Sequence, residues 1–254
     1  MPAPYPHLKH APIVEAVLDI RVSFRKGLEI ETLKGGFEIL KEDYPEIKEE
    51  RMIEVRHHFS AKDPDNLSDP LRKQTFRGFR FISNEKNQLV QFRRDGFTYN
   101  RLSPYPSWED VRNESKRLWD VYCQVAKGFD VSRLALRYIN KIEFNPLEEE
   151  LTDIFTSEVC IPQKLDLEVG SFLNQTLVKQ PKSDIFANYT FSRDRKNVNQ
   201  QPVEILLDID VYRNGPYDNL PEALFETFEE LRNFKNDLFF SSIKTSALTR
   251  FQND

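Results

Sequence analysis

The chain has 254 residues and a formal net charge of −5, with 39% hydrophobic and 30% charged residues, enough for one large or two small domains around a buried core. Twenty Phe and nine Tyr raise the aromatic share to 12%, which excludes a largely disordered chain and calls for a packed interior or a stacking surface. No apolar run is long enough to span a membrane, MPAPYPHLKHAP lacks a signal-peptide pattern, and Cys123 and Cys160 are too few for a disulfide framework, so a reducing cytoplasm and no membrane contact are expected.

The first element is HAPIVEAVLDIRVSF, where Val14, Ala16, Leu18, Ile20, Val22 and Phe24 alternate with Glu15, Val17, Asp19, Arg21 and Ser23. That period of two predicts a half-buried strand with one charged face. Leu28, Leu33, Phe37 and Leu40 then recur at helical spacing, weakened by Gly35-Gly36 and stopped by Pro45. RMIEVRHHF predicts a second strand, and the polar SAKDPDNLSDPLRKQT a loop. FRGFRFIS and QLVQFRR read as strands joined by NEKN, and Asp95-Gly96 as a two-residue hairpin that sets Phe92 opposite Tyr99. Ser107, with Asp110 three residues on, caps the clearest helix, lined by Trp108, Val111, Leu118, Val121, Tyr122 and Val125 and closed by Gly128. SRLALRYINKIEF is a strong strand, ended by Pro146.

An acidic connector leads to three more strands, SFLNQTLV, IFANYTFS and VEILLDIDVY. A last helix starts at Asn219-Leu220-Pro221, its apolar side carrying Leu224, Phe225, Phe228, Leu231, Phe234, Leu238 and Phe239. The order β-α-β-β-β-β-α-β, then β-β-β-α, predicts an α+β fold of largely antiparallel sheet with helices on one face. Residues 1–146 form an N-terminal half, ferredoxin-like with an extra hairpin, and residues 147–254 a C-terminal β-β-β-α half, the two as pseudo-repeats in one continuous domain or in two.

Charge is unevenly spread. From Arg72 to Arg101 eight bases face two acids, whereas from Glu204 to Asp254 ten acids face five bases. The first stretch is a candidate surface for an anionic ligand or nucleic acid, through Arg77, Phe79, Arg80, Phe81, Arg93, Arg94 and Arg101; otherwise it is a solvated surface or is neutralised by the acidic C-terminal half. RGFRFIS approaches an RNA-recognition signature, but the first strand carries no exposed aromatic, so Phe79 and Phe81 read first as core residues. Glu15, Asp19 and Arg21, with Arg137 and Lys141 of the later strand, are candidates for a polar groove, or for plain cross-strand ion pairs in which Arg137 and Lys141 meet Glu15 and Asp19. Asn140, alone among apolar neighbours, joins these candidates because a buried amide needs partners.

His57 and His58 point to opposite faces of a strand, and His7 and His10 lie in the Pro-rich lead-in, so no metal and no cofactor is expected. There is no nucleophile elbow and no phosphate loop. Asp208 and Asp210 share a strand face, which is either a solvated face or a pair of carboxylates able to hold Mg²⁺.

APIVEAVLDIRV, FRFIS, YNRLSPYPSWED and RLALRYINKIEF, in that order, resemble an uncharacterised bacterial family of roughly 260 residues that is scattered sporadically among genomes. The resemblance carries no catalytic residues; its sporadic distribution implies defence or toxin–antitoxin modules, by association. The expected function is a non-catalytic cytoplasmic binding protein acting as a subunit of a protein complex, with a protein partner or a second copy of itself. The alternatives are RNA or nucleotide binding through Arg72–Arg101 and a Mg²⁺-dependent enzyme using Asp208 and Asp210.

Overall fold

A computed structural model describes residues 5–6, 8–24, 27–56, 71–159, 169–194, 202–217 and 221–252, without the side chains of 53–56 and 71–73. His7, His57, His58, Cys160 and the Asn219-Leu220 helix start lie outside these residues.

The strands are β1 (Ile13–Phe24), β2 (Glu46–Arg56), β3 (Leu71–Ile82), β4 (Gln88–Arg93), β5 (Gly96–Leu102), β6 (Phe129–Phe144), β7 (Phe172–Lys179), β8 (Ile185–Arg193) and β9 (Val203–Asn214). They form one sheet in the order β2-β3-β4-β5-β1-β6-β9-β8-β7, antiparallel at every junction. Because β6 pairs with β9, strands from 1–146 and from 147–254 share that sheet. Helices α1 (Gly35–Leu40), α2 (Trp108–Val125), α3 (Leu151–Ile154), α4 (Pro221–Ser242) and α5 (Thr245–Leu248) complete the α+β architecture.

The period of two in β1 becomes two chemically different faces. Ala16, Leu18 and Ile20 are fully buried on the helix side, with Leu134, Leu136 and Tyr138 of β6 and Leu207, Ile209 and Val211 of β9 beside them. Burying a Leu, Ile or Val side chain in this way contributes about 1.5–3 kcal/mol. α2 starts where Ser107 Oγ accepts the Asp110 N–H at 3.0 Å. Its Trp119 stacks on Tyr122 with ring centroids 5.3 Å apart and meets Phe97 edge-on at 5.6 Å. α4 buries Leu224, Phe225, Phe228 and Leu231 on the same side of the sheet.

Two local expectations are corrected. The β4–β5 turn is Arg94-Asp95, closed by the pair Arg93 and Gly96, so Phe92 faces Phe97 and Tyr99 faces Val90. The shift is two residues, a whole strand period, so each side chain keeps its face. Residues 71–75 are strand rather than loop, and β2 starts at Glu46, ahead of RMIEVRHHF, because β2 and β3 pair with each other along a charged ribbon at the sheet edge. A bulge between Glu50 and Arg51 leaves Arg77 as the extra residue of β3. Gly96 has φ +149°, and a Cβ there would lie 2.2 Å from the Ile20 carbonyl oxygen, so β5 approaches β1 only because this residue is glycine.

Candidate functional site

No described helix packs on the second face of the sheet, and the charged residues converge there. Strand register sets Arg93, Gly96, Arg21 and Arg133 side by side on β4, β5, β1 and β6. Gly96 has no side chain, so the neighbouring guanidiniums reach over it to the carboxylates. Asp19 is their hub: its Oδ1 accepts from Arg93 Nη2 at 2.9 Å and from Thr98 Oγ1 at 2.6 Å, and its Oδ2 accepts from Arg21 Nε at 2.8 Å. Arg133 lies 3.6 Å from the same carboxylate. Asp95 at the hairpin turn accepts from Arg21 at 2.5 Å and from Arg77. Burial works against the charge on Arg21, but Asp19 and Asp95 outweigh it and hold its pKa above the usual value.

The ladder continues across β6 and β9. Arg137 grips Asp208 with two bonds, Nε to Oδ1 at 2.8 Å and Nη2 to Oδ2 at 2.6 Å, which hold the arginine pKa above its usual value. Lys141 pairs with Glu204. Asp210 accepts from Asn188 at 3.3 Å and lies 3.6 Å from Arg133; burial nevertheless pushes its pKa up. Arg133 also sits over the Tyr212 ring at 4.5 Å, Tyr212 stacks on Phe186, and Lys179 covers Phe186 at 5.4 Å.

The candidate residues are thereby sorted. Glu15, Asp19, Arg21, Arg137 and Lys141 do share one polar face, but Arg137 and Lys141 bond to Asp208 and Glu204 of β9 instead of to Glu15 and Asp19 of β1. Arg137 faces Val17 in the β1 register, whereas β9 offers carboxylates beside it. Glu15 accepts from Asn100 at 2.6 Å instead. Asn140 points to the helix side, where it is buried and its amide donates to the Leu207 carbonyl at 3.0 Å.

The basic stretch does not act as one surface. Arg77 and Arg93 are neutralised by Asp95 and Asp19, and Arg80 by Glu50 at 2.7 Å, all acids of the N-terminal half and none of the C-terminal half. Arg94 lies exposed on the turn. Arg101 lies on the opposite face, in a cleft of about 790 Å³, and donates to Asn87 and to the Pro104 carbonyl, both at 3.1 Å. Phe79 and Phe81 are core residues: Phe81 is fully buried and meets Phe92 edge-on at 5.1 Å, which leaves no ring face for a base.

Asp19, Asp95, Asp208, Asp210 and Glu204 on this face are each engaged by guanidinium, ammonium, amide or hydroxyl donors, which occupies the lone pairs a general base would use, while Asp95 Oδ1 and the Nε groups of Arg80 and Arg93 have no hydrogen-bond partner among the described residues. Both Asp208 oxygens are held by Arg137, a donor set that does not fit Mg²⁺. Cys123 is half-buried, and burial, then Asp120, pushes its thiol up to about 12, away from thiolate chemistry.

Two features escaped the sequence reading. The sheet edges differ: β2 (EIKEERMIEVR) is crowded with charges, whereas β7 (FLNQTLVK) has only Lys179 at its end. Leu173 and Leu177 of β7 are 72% and 60% exposed on the helix-free face, and no described strand pairs with the outer edge of β7. The second feature is Lys235, which falls on the apolar stripe of α4, four residues after Leu231 and four before Phe239, and is buried there. That position in the stripe was the available signal.

No family model matches the chain, and no curated protein matches it.

Proposed function

We propose that this protein is a non-catalytic cytoplasmic binding protein that works inside a protein complex, and that the complex is assembled on strand β7. The carrying observation is the outer edge of β7, which no described strand covers. A strand of eight residues with one terminal charge, no proline and two exposed leucines is a template for another strand, whereas β2 carries the charges that discourage pairing.

The occupant is a second copy of the chain. Antiparallel pairing of β7 with itself, centred on Gln175, sets Leu173 of each copy opposite Leu177 of the other on the helix-free face. On the helix side it sets Phe172 opposite Val178. The charged ladder then serves as a rigid floor that continues through the joined sheets. A setting in a defence or toxin–antitoxin system rests on the family resemblance alone. RNA or nucleotide binding loses its footing because Arg77, Arg80 and Arg93 are neutralised in place.

The finer architecture belongs to the same reading. The run β1-β5-β4-β3 is mirrored by β6-β9-β8-β7, with α2 and α4 following the third strand of each meander, which supports pseudo-repeated units. The order β6-β1-β5, with β2 beyond an inserted hairpin, supports the ferredoxin-like reading of the first unit.

Light scattering on the purified chain tests the proposal, with the double variant L173E/L177E as control. A wild-type mass twice the 30.0 kDa of one chain, reduced to 30.0 kDa by the variant, is the expected result. A wild-type chain that stays monomeric and retains no protein partner when isolated from its host overturns it.

A further inference from the structure

The helix side of the sheet holds a cavity of about 260 Å³ between the N-terminal lead-in, the start of α2, β6 and α4. Lys235 lines it and is only 8% exposed. Its ammonium lies 4.1 Å from the centre of the Tyr138 ring, and among the described residues it has no hydrogen bond and no ion pair. A buried ammonium without a counter-charge is costly, because the protein interior replaces its hydration with nothing of equal strength.

The cavity offers more than the amine. The Tyr105 and Tyr138 hydroxyls meet at 2.9 Å, so one of the two O–H groups remains a donor that this bond does not use. Trp108 and Phe239 line the walls and give the cavity apolar surface. The carboxylate Glu229, adjacent on α4, is already engaged by Trp108 at 2.8 Å and by Arg112 at 3.1 Å.

We propose that this cavity is a binding site for a small organic carboxylate with a compact apolar body, whose charge supplies the partner Lys235 lacks. The carboxylate accepts from Lys235 and from the tyrosine pair, and the apolar body lies against Trp108 and Phe239. The site is separate from β7 and does not rest on the assembly proposed above.

The other titratable or charged groups of the cavity are Tyr5 of the lead-in, Tyr105 ahead of α2, Glu109 in its first turn, Tyr138 of β6, and Arg232 on the helix of Lys235 itself. Tyr5 donates to Asp237, and Arg232 lies over Trp108 at 5.6 Å. Burial, then Arg232, pulls the Lys235 pKa down to about 7, whereas Tyr5 and Tyr105 are pushed up to about 12 and stay protonated. Lys235 is therefore the group that changes charge near neutral pH, and carboxylate binding weakens as pH rises through that range.

Trp108 fluorescence reads the site directly, since the other tryptophan, Trp119, lies in the core. Benzoate and hexanoate are the probes, and benzamide and hexanamide the neutral controls. The expected result is saturable quenching by a carboxylate, at least tenfold weaker with its amide, at least tenfold weaker in K235M, and weakening from pH 6 to pH 9 in wild type only. K235M keeps the shape of the side chain and removes a buried charge, and its circular dichroism verifies the fold. Equal binding of acid and amide, unchanged binding by folded K235M, or no saturable quenching by either acid at tens of millimolar overturns the proposal.

Discussion

Arg93 Nη2 lies 2.9 Å from Asp19 Oδ1, joining β4 to β1 across the full width of β5 on the face without helices. Both side chains are about nine-tenths buried although they sit on the open side of the sheet, and Arg21 and Arg133 also lie against the Asp19 carboxylate. The bond is thus closer to an interior ion pair than to a surface one, and its energetics follow the interior case.

Removing one member leaves the other buried and unpaired. D19A is expected to destabilise the fold by about 3–5 kcal/mol, since Arg93, Arg21 and Thr98 lose one acceptor together. Urea unfolding of wild type and D19A measures this. A loss below about 1 kcal/mol would mean that the ladder contributes no more than exposed ion pairs do.

Gly96 makes a backbone prediction. Alanine there meets the Ile20 carbonyl and is held at positive φ, so G96A is expected to cost at least about 2 kcal/mol and to loosen the β1–β5 junction. Hydrogen exchange of the β1 amides, faster in the variant than in wild type, locates the damage.

Lys235 makes a prediction about pH. Its folded pKa, about 7, lies below the value near 10.5 of the unfolded chain, so between those limits the unfolded chain binds the extra proton. Stability from this group therefore rises with pH from about 7 to about 10. K235M, which lacks the group, is expected to be more stable than wild type at pH 7, and the difference should shrink as pH approaches 10. Thermal unfolding of both proteins across that range checks it. Above pH 10 the buried Tyr99, Tyr122 and Tyr138, whose pKa values are all raised, pull stability down in both.

What the sequence displays is what local pattern dictates. Alternation in β1, β6 and β9, the Ser107 cap and the apolar stripe of α4 each declare an element and its buried face, because period and burial are the same physical fact. Register is less legible. The charges of both strands point Arg137 toward the β1 carboxylates, but which strand lies on its other side is decided by long-range packing, and β9 brings Asp208. The basic count over residues 72–101 hides placement for a related reason: composition adds charges that the fold divides between two faces and pairs with Glu50, Asp19 and Asp95. The edge position of β7 is not readable, since no feature of FLNQTLVK reveals that the strand has only one described neighbour. Lys235 was readable in principle, as the one charge on an apolar stripe.

The most direct measurement is the solution mass of the chain by light scattering, for wild type and for L173E/L177E. Leu173 and Leu177 are exposed in the single chain, so their replacement costs the monomer little, and any change in mass reports on the β7 edge. The prediction is a dimer of twice 30.0 kDa that the double variant reduces to 30.0 kDa. A wild-type chain that remains a monomer over a wide concentration range, and comes from its host without a protein partner, contradicts it.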